Sequence, residues 1–259
     1  MNIPKRDLDD LRYAKALLEN PSLATRITNL LGVPVEKSFD ALPQKWSEKV
    51  YSISRASLSK ALDFALLTVA DKPMRKSFDA AHKGAAAATG AAGGAFGFLT
   101  LPVELPVSTM IMLRSIAAIA RSEGERLGLT ETKLSCLSVF ALGGTSTADD
   151  AAETGYFAVR TVLARAVSDA TRYIAERGAV ERGAPALVRF ITAVAARFSL
   201  VVSDKIIAQA IPVVGAAGGG LVNTVFMDHF QDMAHGHFIV RRLERSHGAV
   251  TIRTLYESI

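Results

Sequence analysis

The sequence is short of cysteine, of aromatic residues and of β-branched runs. A single cysteine, Cys136, stands among 259 residues, so no intramolecular disulfide framework is possible and a reducing compartment suits the chain. Cys136 lies in the apolar stretch from Leu134 to Leu142 without a nearby cluster of cations. It reads as a buried structural thiol rather than a nucleophile. Runs of β-branched residues bounded by turn signals are missing, which argues against a sheet. Met1 to Asn20 is charged and has no apolar core of signal-peptide type. No Lys/Arg run with interleaved aromatics is found, so nucleic acid is not an expected partner. GAAGGG at Gly215 to Gly220 lacks the Lys-Ser/Thr of a phosphate-binding loop, and neither GxSxG nor HExxH occurs.

What is present is hydrophobic and small. Hydrophobic residues make up 49% of the chain and glycines number 19. The excess of alanine and glycine suggests helices that pack closely. The net charge of +5 is a mild bias towards an anionic partner. Apolar residues recur at helical spacing in Asp7–Glu19 and from Gln44 to Ala70. Further helices are predicted from Pro106 to Leu127, from Thr130 to Gly143, and from Asp149 and Asp150 to Arg177. Two more run from Pro185 to Ala210 and from Pro212 to His247, the last stopping at Gly248. The expected fold is all-α: a multi-helix bundle with a central Gly/Ala-rich helical hairpin core and no significant sheet. One domain is expected over 1–259, with 1–44 as an N-terminal helical cap on a core at 45–250.

Two stretches carry no charge: GAAAATGAAGGAFGFLTLPV from Gly84 to Val103, and IIAQAIPVVGAAGGGLVNTVFM from Ile206 to Met227. Each has the length to cross a hydrocarbon core, but both are poor in the large apolar residues that drive insertion. Gly90, Gly93, Gly94 and Gly97 in the first, and Gly215, Gly218 and Gly219 in the second, form a glycine-zipper pattern suited to helix packing or membrane contact.

Several polar residues interrupt apolar surroundings. Asp228, Asp232 and His235 fall on one side of the last helix, where two carboxylates and an imidazole suit a divalent metal or a shared proton. Their alternative is a solvated face, and Glu104, or Asp149 and Asp150, are the candidate completing ligands. Glu104, between Pro102 and Pro106, needs a partner if buried. Arg114 is the candidate for a structural ion pair with it. Phe226, Phe230, Met233, His237 and Val240 make one apolar stripe, which reads His237 as a packed core histidine. Arg241, Arg242 and Arg245 close the helix, complementing its dipole or meeting acidic lipid.

The run LTLPVELPVSTMIMLRSIAAIARSEGE, FALGG at Phe140–Gly144, and IPVVGAAGGGLVNTVFMDHFQDMAHGHFIVRRLERSHG at Ile211–Gly248 resemble the blocks of the EcsC family. The resemblance covers the chain from about residue 45 onward. It implies a helical bacterial protein with an accessory role near a membrane, linked to transport or secretion. It supplies no catalytic motif and no cofactor. The expected function is therefore non-catalytic, in the cytoplasm or at the inner face of the membrane, with acidic lipid or a membrane protein as partner. A soluble interaction scaffold and a metal-dependent, peptidase-like hydrolase are the alternatives.

Overall fold

The computed structural model describes residues 3–19, 23–31, 46–68, 101–144, 155–177, 183–210 and 215–259. Among them the chain is helical throughout, with no strand: α1 (Lys5–Leu18), α2 (Leu23–Leu31), α3 (Trp46–Thr68), α4 (Leu101–Ser122), α5 (Thr130–Ser138), a 3-10 turn (Val139–Ala141), α6 (Tyr156–Arg177), α7 (Pro185–Ala210), α8 (Gly215–His247) and α9 (Ala249–Ser258). Every helix contributes to one cluster of buried apolar side chains.

The 33-residue α8 is the axis of the bundle. Its apolar stripe faces inward: Phe226, Phe230, Met233, His237 and Val240 are all buried. α1, α4, α7 and α9 pack along it, and α3 rests on α4 and α7. Phe140, Phe198 and Phe230, from the 3-10 turn, α7 and α8, meet with ring centroids 5.1 to 5.6 Å apart. Offset and edge contacts of this kind add to the area they bury.

Several boundaries differ from the sequence expectation, among them the end of α4 at Ser122 rather than Leu127 and the start of α6 at Tyr156 rather than at Asp149. α4 begins at Leu101, before Pro106, rather than at it. A proline this close to a helix start removes only the bond to Pro102, one turn back. The last predicted helix does end at Gly248, at φ +88°, but α9 follows at once. Glycine reaches that backbone region without steric cost, and the reversal lays Ile252 and Tyr256 into the core.

The second uncharged stretch is divided between two helices, since α7 ends at Ala210 and α8 starts at Gly215. Gly215, Gly218 and Gly219 thus fall in the first turns of α8, while Gly90, Gly93, Gly94 and Gly97 lie outside the described residues, as do Asp149 and Asp150. A close glycine contact is formed elsewhere, at Gly236. A Cβ there would stand 2.6 Å from Leu18 Cγ and 3.0 Å from the Ala14 carbonyl oxygen. Ala14 O is backbone and cannot swing aside, so Gly236→Ala requires α1 to shift slightly away from α8 and the Leu18 side chain to move. Alanine would gain about 1 kcal/mol of helix propensity. Overpacking of this kind costs about 1–3 kcal/mol. The expected result is a net loss of stability, read as a lower urea midpoint with an unchanged slope.

Candidate functional site

A cavity of about 490 Å³ opens between α5, α6 and α8. Helical spacing builds its walls. α5 supplies Glu131, Ser135 and Ser138, at i, i+4 and i+7. α6 supplies a stripe from Arg160 through Leu163, Ala164 and Val167 to Ser168, Thr171 and Arg172. α8 supplies His237 and Arg241, one turn apart. The α6 stripe is apolar in its middle and polar at both ends. Over twelve residues at 1.5 Å each it spans about 18 Å. Its Arg160 end is sheltered beside buried His237, whereas Ser168 and Arg172 at the other end are exposed.

A relay of hydrogen bonds fixes the inner end. Glu244 holds Arg160 through two bonds of 2.8 and 2.5 Å. Arg160 Nη1 in turn donates to the Tyr156 hydroxyl oxygen at 3.4 Å. That oxygen lies 2.9 Å from His237 Nδ1. The phenol oxygen has two lone pairs, so the bond from Arg160 is compatible with the imidazole proton on either ring nitrogen. Burial pushes the Tyr156 hydroxyl up to about 12, so it keeps its own proton. Burial, and then the charges of Arg160 and Arg241, hold His237 well below its ordinary value, so the ring stays neutral. His237 is one of the residues that line the cavity, but its Nε2 has almost no accessible surface and no protein hydrogen-bond partner among the described residues. Thr171 Oγ1, on the same cavity, has none either.

Arg241 sits between two carboxylates. Its Nε donates to Glu125 at 2.8 Å, and Arg245 donates to the same carboxylate. Burial works against the charge on Glu125, but Arg241 and Arg245 together hold its carboxyl below the ordinary value. The second partner, Glu131, is 3.9 Å away and 60% exposed. Arg242 is bound by Asp10 and Glu123 at 2.7 and 2.8 Å. The three arginines at the end of α8 are thus engaged with acidic side chains of their own chain as well as placed at the helix's negative end.

The other sequence candidates are dispersed. Glu104 pairs with Lys205 at 2.6 Å rather than with Arg114, and Arg114 lies 4.9 Å from the centre of the Phe64 ring. Asp232 is bound by Arg26 at 2.7 Å. Among the described residues no group of three His, Cys, Asp or Glu side chains could hold a metal ion, so Asp228, Asp232, His235 and Glu104 do not converge. Cys136 is buried, and burial pushes its thiol up to about 12, which leaves it unreactive. Sequence reasoning missed Tyr156, Arg160, Ser135 and Ser138. The available signal was the serines of α5 at i and i+3, inside an apolar run one turn beyond Glu131.

The EcsC protein family model matches residues 11–243, nine-tenths of the chain. The chain belongs to the EcsC protein family. Comparison with curated proteins and with solved structures finds no match. The EcsC match takes in α5, α6 and both cavity residues of α8, so the whole lining of the cavity lies inside the family region.

Proposed function

We propose that this EcsC-family chain is a non-catalytic binding protein whose α5–α6–α8 cavity takes up a small, acceptor-rich molecule. The observation that carries the reading is the lining of the cavity, in which three arginines, Arg160, Arg172 and Arg241, stand against one carboxylate, Glu131. The cavity falls within the size range of small-molecule sites. Proton-transfer chemistry is less well supported. His237 is held far below neutral and Tyr156 far above it, whereas a general acid or base works best when poised near the operating pH.

Native mass spectrometry of protein purified without denaturation tests this reading. A bound molecule of small mass is expected on the wild type and absent from Ala164→Trp, which fills the cavity from its exposed wall. A bare wild-type protein, or a molecule retained in a correctly folded Ala164→Trp, would count against it.

Two helices favour an added location at the inner face of a membrane. Leu101–Ser122 and Pro185–Gln209 are long and apolar enough to cross one, with mean hydropathies of 1.5 and 1.7. Their apolar windows are 72% and 56% buried in the bundle, which supports peripheral attachment over spanning. Acidic lipid or a membrane protein is the partner this reading takes. Flotation with acidic vesicles at low salt decides it: protein left wholly in the soluble fraction removes the lipid contact.

A further inference from the structure

Charge is divided unevenly along the bundle. Gln231 of α8 reaches Ser115 of α4, and Arg241 reaches Glu125 just beyond it, so α4 and α8 run in the same direction. Phe198 of α7 packs on Phe226 and Phe230, while Lys205 further along meets Glu104 near the start of α4, so α7 runs the opposite way. The start of α4, the end of α7 and the start of α8 therefore share one end of the bundle. Both uncharged stretches of the sequence meet there: 84–103 leads into α4, and 206–227 joins the end of α7 to the start of α8.

In the parts nearest that end, 101–113, 198–210 and 215–227, the charged residues are Glu104, Asp204 and Lys205, and all three are buried. Among the described side chains there, the exposed ones are Pro102, Val103, Val107, Leu200 and Leu221, every one apolar. Val103 is 72% exposed. The helix register sets these residues within about 10 Å of one another along the bundle axis. The opposite end carries the ion pairs that Asp7, Asp10, Glu123 and Glu125 make with the last turns of α8. A protein partner ordinarily meets a polar rim, which α4, α7 and α8 do not offer at the uncharged end. A bilayer asks for apolar side chains facing outward and charges paired inside, and Lys205 with Glu104 at 2.6 Å meets the second condition.

We propose, building on the membrane location above, that this uncharged end is the lipid contact, with Val103, Val107, Leu200 and Leu221 entering the boundary between headgroups and acyl chains. The attraction is apolar, and the arginines that close α8 face away from the surface.

Flotation of the full chain with phosphatidylcholine vesicles, with and without phosphatidylglycerol, at low and high salt tests the proposal. Binding to both kinds is expected to persist at high salt, which screens charge but not apolar contact. Val103→Asp is expected to weaken partitioning about tenfold, and Val250→Asp to leave it unchanged. Val250 is also exposed but lies in α9 at the opposite end. Each aspartate would stand in the first turn of a helix, where it complements the dipole and leaves the fold intact. A polarity-sensitive fluorophore on Leu221→Cys is expected to shift blue with vesicles, and one on Val250→Cys is not, since buried Cys136 stays unlabelled. Flotation that needs acidic lipid and is lost at high salt, or that Val103→Asp leaves unchanged, overturns this contact while the membrane location stands. Protein left soluble with every vesicle also overturns it. Binding to native membranes then assigns the contact to a membrane protein, and no binding there removes the membrane location as well.

Discussion

Lys205→Met is expected to lower the unfolding free energy by about 3–5 kcal/mol, the usual loss when one member of a buried ion pair is removed. Lys205 is fully buried, its Nζ 2.6 Å from Glu104 Oε1 and 4.8 Å from the centre of the Phe226 ring. Burial draws the ammonium down from its ordinary value, and Glu104 opposes that drift. Without Lys205, the Glu104 carboxylate remains at 6% exposure between α4 and α7 with its charge uncompensated. Glu104→Leu should cost a comparable amount, because either orphaned partner must stay charged in a dry site or neutralise at a cost. The double variant Glu104→Leu/Lys205→Met is expected to recover most of the loss, since a packed apolar pair often equals a buried ionic one. Urea unfolding of the two single variants and the double variant closes the cycle. A loss below about 1 kcal/mol for Lys205→Met would mean that Glu104 finds another partner or water.

This pair also bears on the two apolar helices. α4 and α7 pass a length-and-hydropathy test for spanning, yet their charged members Glu104 and Lys205 turn towards each other inside the bundle. Hydropathy averaged along a helix does not show which way a single charge points. The same blindness runs through the other readings. That Glu104 needs a partner follows from its apolar neighbours, but the partner is 101 residues away on another helix, whereas Arg114 is nearer in sequence and occupied by Phe64. The helical wheel places Asp228, Asp232 and His235 on one side of α8, but it cannot show that Arg26 of α2 comes to Asp232. His237 reads as buried from its stripe. Its hydrogen bond is to Tyr156, which arrives from α6 some eighty residues earlier. Periodicity predicts the helices and the lack of strand seen among the described residues, because each is written within a single segment. The cavity arises where α6 stands away from α8, and no local pattern encodes a gap between helices. Close packing at a glycine follows the same rule. It is seen at the isolated Gly236, where α1 crosses, a contact that glycine density along the chain does not reveal.

Acid should weaken the protein well before its carboxylates are protonated. His229 and His237 are both buried in α8. Burial, followed by the charge of Arg26, lowers His229 to about 3, and His237 is shifted the same way. In the unfolded chain both return to about 6.5. Between those values the unfolded state binds protons that the folded state refuses, so stability rises with pH across the window. It is complete above about pH 6.5 and is lost as pH falls below that value. For His229 alone the loss at pH 5 is about 2 kcal/mol, and His237 adds to it in the same direction. Glu125 has a lowered value, so its contribution is lost only further down, as pH falls below the ordinary carboxylate range. The interval from pH 7 to 5 therefore isolates the histidines. Urea midpoints across it should fall with a slope approaching two protons at its acid end. In His229→Gln the starting stability is lower but the slope should drop by one proton. A flat profile between pH 7 and 5 would mean that water reaches these rings.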